Sequence, residues 1–154
     1  MKAKPPRKTE RPDIAFWDTS AVVPLCFFQP QSAQAHLMLR QFGNQVTWWA
    51  TVVEAVSALN RLAREGLLAK EDKQKALNRL GRLRKSWNEI QPSVDLRDSA
   101  ERLLGVHKLR AADALQLSAA LMWCRQRPRD RSFIVGDEDL ANAAEIEGFT
   151  VVRL

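Results

Sequence analysis

A chain of 154 residues, 45% of them hydrophobic, is long enough to bury one core and too short for two ordinary domains. Lysine and arginine number 24 against 18 acidic residues, which gives a formal net charge of +6 and a sequence pI near 9.8. This balance favours anionic partners such as nucleic acid, although many small basic proteins bind none. No apolar run is long enough to cross a membrane, and the widely separated Cys26 and Cys124 favour a reduced, cytoplasmic protein.

The first twelve residues differ in composition from the rest of the chain. They contain five lysines or arginines and three prolines, and no apolar run follows these charges as a signal peptide would require. We predict a disordered basic arm over residues 1–12, followed by a single domain over residues 13–154. Three origins of the arm stay open at this point: a tail that contacts nucleic acid, a vector remnant, or a start site placed too early.

The predicted domain begins with a short buried strand. Residues 14–17 form an apolar run that stops at Asp18, which is typical of a strand inside a sheet. Thr19 or Ser20 is expected to cap the helix that follows. Pro24 is compatible with that helix only if it falls in the first turn, because proline lacks the amide hydrogen that later turns require.

Helices and strands then alternate to the end of the chain. The pattern predicts helices over residues 32–42, 51–65, 71–87, 97–104, 111–126 and 140–147. It predicts further strands over residues 46–49, 90–94, 132–135 and 149–153. Such alternation favours an α/β fold of three layers, α/β/α, with a central and mostly parallel sheet.

The tryptophans allow two more specific predictions. Trp48 and Trp49 are adjacent on a predicted strand and therefore point to opposite faces of the sheet, which allows one of them to be exposed. A leucine stripe that ends at Trp87 recurs at helical spacing in the 71–87 helix. We interpret this stripe as part of the core, since such stripes face a core more often than a partner.

Four acidic residues are candidates for a functional site. Asp18 and Asp137 directly follow predicted strands, and the carboxyl ends of parallel strands meet at one edge of a sheet, where ligands bind. Glu54 and Asp113 lie near the starts of otherwise apolar helices, so their carboxylates should be partly buried. For either of these two alone, a favourable contact with the helix dipole would be a sufficient explanation. With all four at one edge, a shared ligand becomes the better interpretation.

The ligand that such a cluster suits best is a hard divalent cation. Carboxylates that share a site repel one another and raise one another's pKa values, and a cation relieves this repulsion. Mg²⁺ and Mn²⁺ prefer oxygen ligands. The two histidines, His36 and His107, have no paired spacing, which argues against a zinc hydrolase.

At these acids the chain resembles the PIN-domain nucleases, and in particular the VapC-type toxins of bacterial toxin–antitoxin systems. The resemblance runs from about residue 14 to the C-terminus. It rests on four segments in the family's order: IAFWDTSA at 14–21, TVVEA at 51–55, ADALQLSAA at 112–120, and FIVGDEDL at 133–140 with Gly148-Phe149 downstream.

The resemblance implies a PIN-like domain that acts as an endoribonuclease with Mg²⁺ or Mn²⁺, cleaving RNA phosphodiester bonds with a metal-activated water. Asp18 would be the central metal ligand, and Glu54 and Asp113 would complete the metal shell directly or through water. Asp137 would hold a second cation or an outer-shell water, with Asp139 as its substitute. These acids would together form the catalytic and metal-binding site.

The resemblance also implies supporting residues and partners. Ser20 or Thr19 would orient Asp18 through a hydroxyl hydrogen bond. Independently of the resemblance, the position of Arg110 three residues before Asp113 makes it a candidate contact for substrate phosphate. A type II toxin of this kind would form a homodimer and bind a VapB-like antitoxin that blocks its site. Basic clusters at 79–85 and 125–131 are interpreted as solvated surfaces.

Two other functions remain open on the sequence alone. The first is a PIN-domain nuclease that processes RNA without an antitoxin. The second is a catalytically silent module that keeps the fold and only binds, which the four retained acids disfavour. A phosphatase with an aspartyl nucleophile is more distant, since Ser20 stands where its second acid would be expected.

Overall fold

The structure is a computed structural model that describes residues 13–154. The predicted basic arm over residues 1–12 lies outside the described residues. Five strands are formed: β1 (Ile14–Trp17), β2 (Asn44–Trp48), β3 (Asn88–Ile90), β4 (Ser132–Val135) and β5 (Thr150–Arg153). Seven helices accompany them: α1 (Thr19–Cys26), α2 (Ser32–Gln41), α3 (Thr51–Arg64), α4 (Lys70–Arg84), α5 (Val94–Val106), α6 (Ala111–Trp123) and α7 (Glu138–Glu147).

The strands form one sheet in the order β3-β2-β1-β4-β5, and all four neighbouring pairs are parallel. Phe16 at the centre of the sheet pairs with Val46 on one side and Phe133 on the other. The predicted α/β fold of three layers is therefore confirmed. Because the strand order reverses between β1 and β4, a crevice is expected where their carboxyl ends diverge.

Both faces of the sheet are covered by helices. One face packs Phe16, Trp48 and Phe133 against α5, α6 and α7, and the Phe16 and Phe133 rings stack with centroids 5.2 Å apart. The other face packs Trp17 and Ile134 against α1, α2, α3 and α4, and the leucine stripe of α4 joins this core as predicted. No helix within residues 13–154 is long and apolar enough to span a membrane.

The start of α1 differs from the prediction. Asp18, and neither Thr19 nor Ser20, is the N-cap, since the Asp18 carboxylate accepts a hydrogen bond from the Ser20 amide. Pro24 lies in the second turn of α1, beyond the first turn that the sequence suggested. The helix tolerates it because it is short and ends two residues later, at Cys26.

Helices α5 and α7 begin three and two residues earlier than predicted, because a cap residue precedes each of them. The Ser93 hydroxyl accepts from the Leu96 amide, so α5 begins at Val94 and β3 is shorter than expected. The Asp137 carboxylate accepts from the Leu140 amide, so α7 begins directly after Asp137. Capping therefore places Asp137 at the mouth of the crevice between β1 and β4.

Three of the helices, α3, α6 and α7, end just before residues with a positive φ. Gly66 after α3 and Gly148 after α7 have φ values of 74° and 111°, as expected for glycines that terminate helices. Helix α6 ends at Trp123, three residues before the predicted end, and Arg125 and Gln126 then adopt φ values of 51° and 60°.

Candidate active site at the carboxyl edge of the sheet

A cavity of about 530 Å³ opens where the carboxyl ends of β1 and β4 diverge. Residues from the first turns of α1, α3 and α6 and the N-cap of α7 line it, together with the side of α3 as far as Leu62. Its polar lining includes all four predicted acids, two hydroxyl residues and two arginines: Asp18, Glu54, Asp113, Asp137, Thr19, Ser20, Arg61 and Arg110. The structure therefore brings the predicted quartet together.

Asp18 is the most buried of the acids, with 5% of its surface exposed. Its Oδ2 atom accepts hydrogen bonds from the Ser20 amide, at 2.9 Å, and from the Ser20 hydroxyl. The same Ser20 Oγ accepts from the Gly136 amide at 2.8 Å, which ties the end of β1 to the end of β4. Ser20 thus orients Asp18, in agreement with its predicted supporting role.

Burial raises the pKa of Asp18 to about 6, against an ordinary value of 3.8. The hydrogen bonds from Ser20 act in the opposite direction, and the negative charges of Glu54 and Asp113 raise the pKa further. The hydrogen bonds from Ser20 therefore do not compensate the cost of burying this carboxylate. A site that leaves a buried acid in this state is suited to a cation.

Glu54 is held by a polar network that joins three helices. Its Oε2 atom accepts from the Thr19 hydroxyl at 2.9 Å and from the Gln116 side-chain amide at 3.2 Å. Gln116 also donates to Thr19 Oγ1 at 2.8 Å and to Thr51 Oγ1 at 3.1 Å. Burial raises the pKa of Glu54, these hydrogen bonds lower it, and the charge of Asp113 raises it again, with a net increase. Thr19 therefore positions Glu54, whereas the sequence suggested that it would position Asp18.

Asp113 lies in the first turn of α6 and faces the other acids from the opposite layer of the fold. Its Oδ2 atom accepts from the backbone amide and from the Nε atom of Arg110, both at 3.4 Å. The Arg110 side chain is 84% exposed and the Asp113 side chain 17% exposed. Arg110 thus lines the cavity, as its predicted contact with phosphate requires, and is paired with an acid of the site.

Asp137 and Asp139, the two candidates for the fourth acid, differ in position. Asp137 lines the cavity, whereas Asp139 does not. The Asp139 side chain is 56% exposed and lies 3.7 Å from Lys108. Asp139 therefore does not belong to the cluster and is a poor substitute for Asp137.

Three residues of the site were not singled out from the sequence. Gln116 and Thr51 are buried members of the network around Glu54. Arg61 lines the cavity from α3, seven residues and about two turns after Glu54. The spacing of Arg61 from Glu54 could have identified it, since residues seven apart share a helix face. Gln116 carried no comparable signal, because its partners are distant in the chain.

The donor set fits a divalent cation in its chemistry. Each of the four carboxylates uses one oxygen for hydrogen bonds within residues 13–154, namely Asp18 Oδ2, Glu54 Oε2, Asp113 Oδ2 and Asp137 Oδ1. The second oxygen of each has no such bond among the described residues. The first oxygen thus fixes the side chain, and the second is available to a ligand that prefers carboxylate oxygen.

The side chains as they stand do not form a finished metal cage. Among residues 13–154, no group of three or more histidine, cysteine, aspartate or glutamate side chains is arranged so that it could hold one ion. The long contact between Arg110 and Asp113, with its exposed arginine, is the restraint that would yield most easily. Binding would therefore require the carboxylates to converge by side-chain rotation.

Comparison with known proteins bears on the fold of the chain. No protein-family model and no curated protein matches it. Among solved structures it is similar to the crystal structure of PAE2754 from Pyrobaculum aerophilum, with a TM-score of 0.62 over 91% of this chain and 90% of that chain. The sequence identity is 18%, so this likeness concerns the fold alone.

Proposed function

We propose that this protein is an endoribonuclease that depends on Mg²⁺ or Mn²⁺ and belongs to the PIN-domain nucleases of the VapC type. The observation that carries the proposal is the cavity between β1 and β4, which four carboxylates line and in which the pKa of Asp18 is raised to about 6. Two of these carboxylates, Asp18 and Glu54, have raised pKa values, and each of the four has one oxygen without a hydrogen bond among residues 13–154. Such a cluster suits a hard cation better than a general acid–base pair.

The residues of the chain have distinct roles in this proposal. Asp18, Glu54 and Asp113 would hold the cation through their free oxygens, and Asp137 would hold a second cation or an outer-shell water. When bound, the cation would lower the pKa of a water molecule and neutralise charge that develops on the scissile phosphate. Ser20 would keep Asp18 in the orientation that the bond to its Oδ2 atom already imposes.

The basic side chains of the cavity support a phosphodiester substrate. Arg61 and Arg110 line the same cavity as the acids, on α3 and at the start of α6. They would contact the phosphates on either side of the scissile bond, which would bring substrate charge into a cluster that otherwise repels it. The choice of RNA over DNA follows from the resemblance of the four acidic segments to the PIN-domain nucleases.

The same resemblance supports a cellular role. The protein would act in the cytoplasm as the toxin of a type II, VapBC-like toxin–antitoxin system, as a homodimer that a VapB-like antitoxin inhibits. A short reading frame for a DNA-binding antitoxin next to this one would favour the toxin over a nuclease that processes RNA without an antitoxin. Growth arrest on expression, relieved by co-expression of that reading frame, is the expected result.

The enzymatic proposal is tested with purified protein and a screen of tRNA and rRNA. We expect cleavage with Mg²⁺ or Mn²⁺, none with EDTA, and none by Asp18→Asn in either condition. Asp139→Asn is the matched control, since it removes an acid close in sequence to Asp137 but outside the cavity. Equal cleavage in EDTA, or an Asp18→Asn variant as active as the parent, would refute the proposed site.

A further inference from the structure

A second cavity lies along the same edge of the sheet, at the carboxyl ends of β2 and β3, and the proposed mechanism does not use it. Its volume is about 490 Å³. It is lined mainly by apolar and aromatic side chains, among them Trp49, Val94 and Leu115, and by one cation, Arg97. We refer to it as the Trp49 cavity.

Trp49 distinguishes this cavity, because 48% of the surface of Trp49 is exposed although the Trp49 backbone is held in place. Its amide donates to the Ile90 carbonyl at 3.0 Å, which continues the pairing of β2 with β3. The neighbouring Trp48 is buried and meets the Trp49 ring edge-on, with centroids 6.3 Å apart and planes at 66°. A firmly placed, half-exposed indole beside Val94, which is 61% exposed, is an apolar surface that suits a planar ligand.

The Trp49 cavity and the acidic cavity are neighbours. Phe16 pairs with Val46 near the ends of β1 and β2. Asp18 directly follows β1 and Trp48 is the last residue of β2, so both lie at the carboxyl ends of adjacent strands, which are spaced about 5 Å apart. Trp49 is the next residue along. On α6, Asp113 lines the acidic cavity and Leu115 lines the Trp49 cavity, so the first turns of α6 separate the two. A strand of nucleic acid whose phosphate lies at Asp18 would therefore bring an adjacent base within reach of Trp49.

We infer that the Trp49 cavity is a nucleobase subsite, in which a base of single-stranded RNA next to the scissile phosphate stacks on Trp49 while Arg97 contacts the backbone. The choice of RNA rests on the proposed function. The chemistry of the cavity supports a polynucleotide independently. Base–aromatic stacking tolerates any sequence, and the phosphates of a polynucleotide would give Arg97 a negatively charged partner. Arg97 has no acidic partner within 4.0 Å among residues 13–154.

A second copy of this chain fits the same surface less well. In a twofold interface the same patch meets itself, so the two copies would bring Arg97 towards Arg97 with no acid of the cavity to separate them. The formal net charge of +6 on each copy adds to that repulsion. An RNA strand removes both sources of repulsion.

The test measures binding separately from cleavage. The Asp18→Asn protein in EDTA is titrated with a uridine oligonucleotide of about eight nucleotides, followed by tryptophan fluorescence and by Kd. This Asp18→Asn protein is the parent of the binding variants, and we expect the oligonucleotide to quench its fluorescence. Trp49→Phe should abolish the quenching but keep a Kd close to that of the parent, because phenylalanine still stacks. Trp49→Leu, which keeps an apolar side chain without an aromatic face, should weaken binding about tenfold or more.

Two further variants complete the design. Arg97→Gln should weaken binding and reduce the slope of log K against log salt by about 0.7, the value for one phosphate contact on a single strand. Phe28→Leu is the matched control and should bind like the parent, since Phe28 is an aromatic residue 83% exposed that does not line either cavity. In the cleavage-competent protein, Trp49→Leu should raise KM more than it lowers kcat.

The outcomes separate this inference from the proposed function. The inference is overturned if the parent does not bind the oligonucleotide, or if Trp49→Leu binds it as tightly as the parent. It is also overturned if Trp49→Leu changes only the oligomeric state of the protein in solution. The last result would identify the surface as an interface between copies. If binding depends on Trp49 and the wild type cleaves no RNA, the nuclease proposal fails and the nucleobase subsite stands.

Discussion

Replacement of Asp18 by asparagine should stabilise the metal-free protein. Asparagine has nearly the same shape as aspartate and is an equally good N-cap, so its carbonyl oxygen can accept the Ser20 bonds that start α1. The substitution removes the charge and replaces the second oxygen, which makes no hydrogen bond among residues 13–154, with an amide NH2. Because the structure buries that charge beside Glu54 and Asp113, its removal relieves a cost that the wild type carries whenever no cation is bound.

The magnitude follows from the pKa of Asp18, which rises from an ordinary value of 3.8 to about 6 in the folded protein. A shift of about two pKa units corresponds to roughly 3 kcal/mol. The folded state binds the Asp18 proton more tightly than the unfolded state does. Protonation of Asp18 therefore stabilises the fold, an effect that is fully present below pH 3.8 and is lost as the pH rises through about 6. This cost of ionising Asp18 exceeds the ~0.3–1 kcal/mol typical of a helix dipole, so the position of Asp18 at the N-terminus of α1 does not cancel it.

The assay is urea unfolding of the wild type and Asp18→Asn in EDTA across this pH range. The difference between the two proteins cancels the groups that do not interact with Asp18 and keeps its coupling with Glu54 and Asp113. We expect Asp18→Asn to be the more stable by about 3 kcal/mol well above pH 6, with the gap closing towards pH 4. A gap that does not change with pH would refute the reasoning.

Three further predictions concern the cation and the substrate. Mn²⁺ at about 100 times its Kd should raise the free energy of unfolding of the wild type by about 2.7 kcal/mol, and an equal gain in Asp18→Asn would show that the ion binds elsewhere. Asp137→Asn should lower kcat by about 10- to 100-fold while Asp139→Asn stays near the parent, and a reversed order in a cleavage assay would transfer the role to Asp139. Arg61→Gln should weaken RNA binding and reduce its salt dependence by about one phosphate contact, whereas Arg64→Gln, exposed on the same helix outside the cavity, should do neither in the same titration.

The layers of the fold and the position of the site could be predicted because both follow from strand direction. Alternating apolar strands and helices imply a parallel sheet, and Asp18 and Asp137, as the residues directly after strands, then had to lie at one edge. Both sit in the observed cavity. The helix starts were less predictable because they depend on which side chain captures a free amide, and Asp18 and Asp137 take that role themselves.

The network around Glu54 could not be predicted, because it depends on contacts between residues that are far apart in the chain. Gln116 lies 97 residues from Thr19 and 62 from Glu54, and in sequence it is one polar residue inside an apolar helix. Only the packing of α6 and α3 against opposite faces of the sheet brings its amide to the Glu54 carboxylate. No local sequence pattern indicates that these distant residues are in contact.

The two oxygens of each carboxylate explain how one site serves both folding and ligand binding. A buried acid without hydrogen bonds would rotate or take up a proton, whereas an acid bonded through both oxygens would have none left for a ligand. Asp18 and Glu54 are fixed through Oδ2 and Oε2 by hydroxyls and amides, which limits the rise of their pKa values without cancelling it. The remaining negative charge faces the cavity. The hydrogen bonds of Ser20, Thr19 and Gln116 thus make the cluster tolerable without a cation and leave it able to bind one.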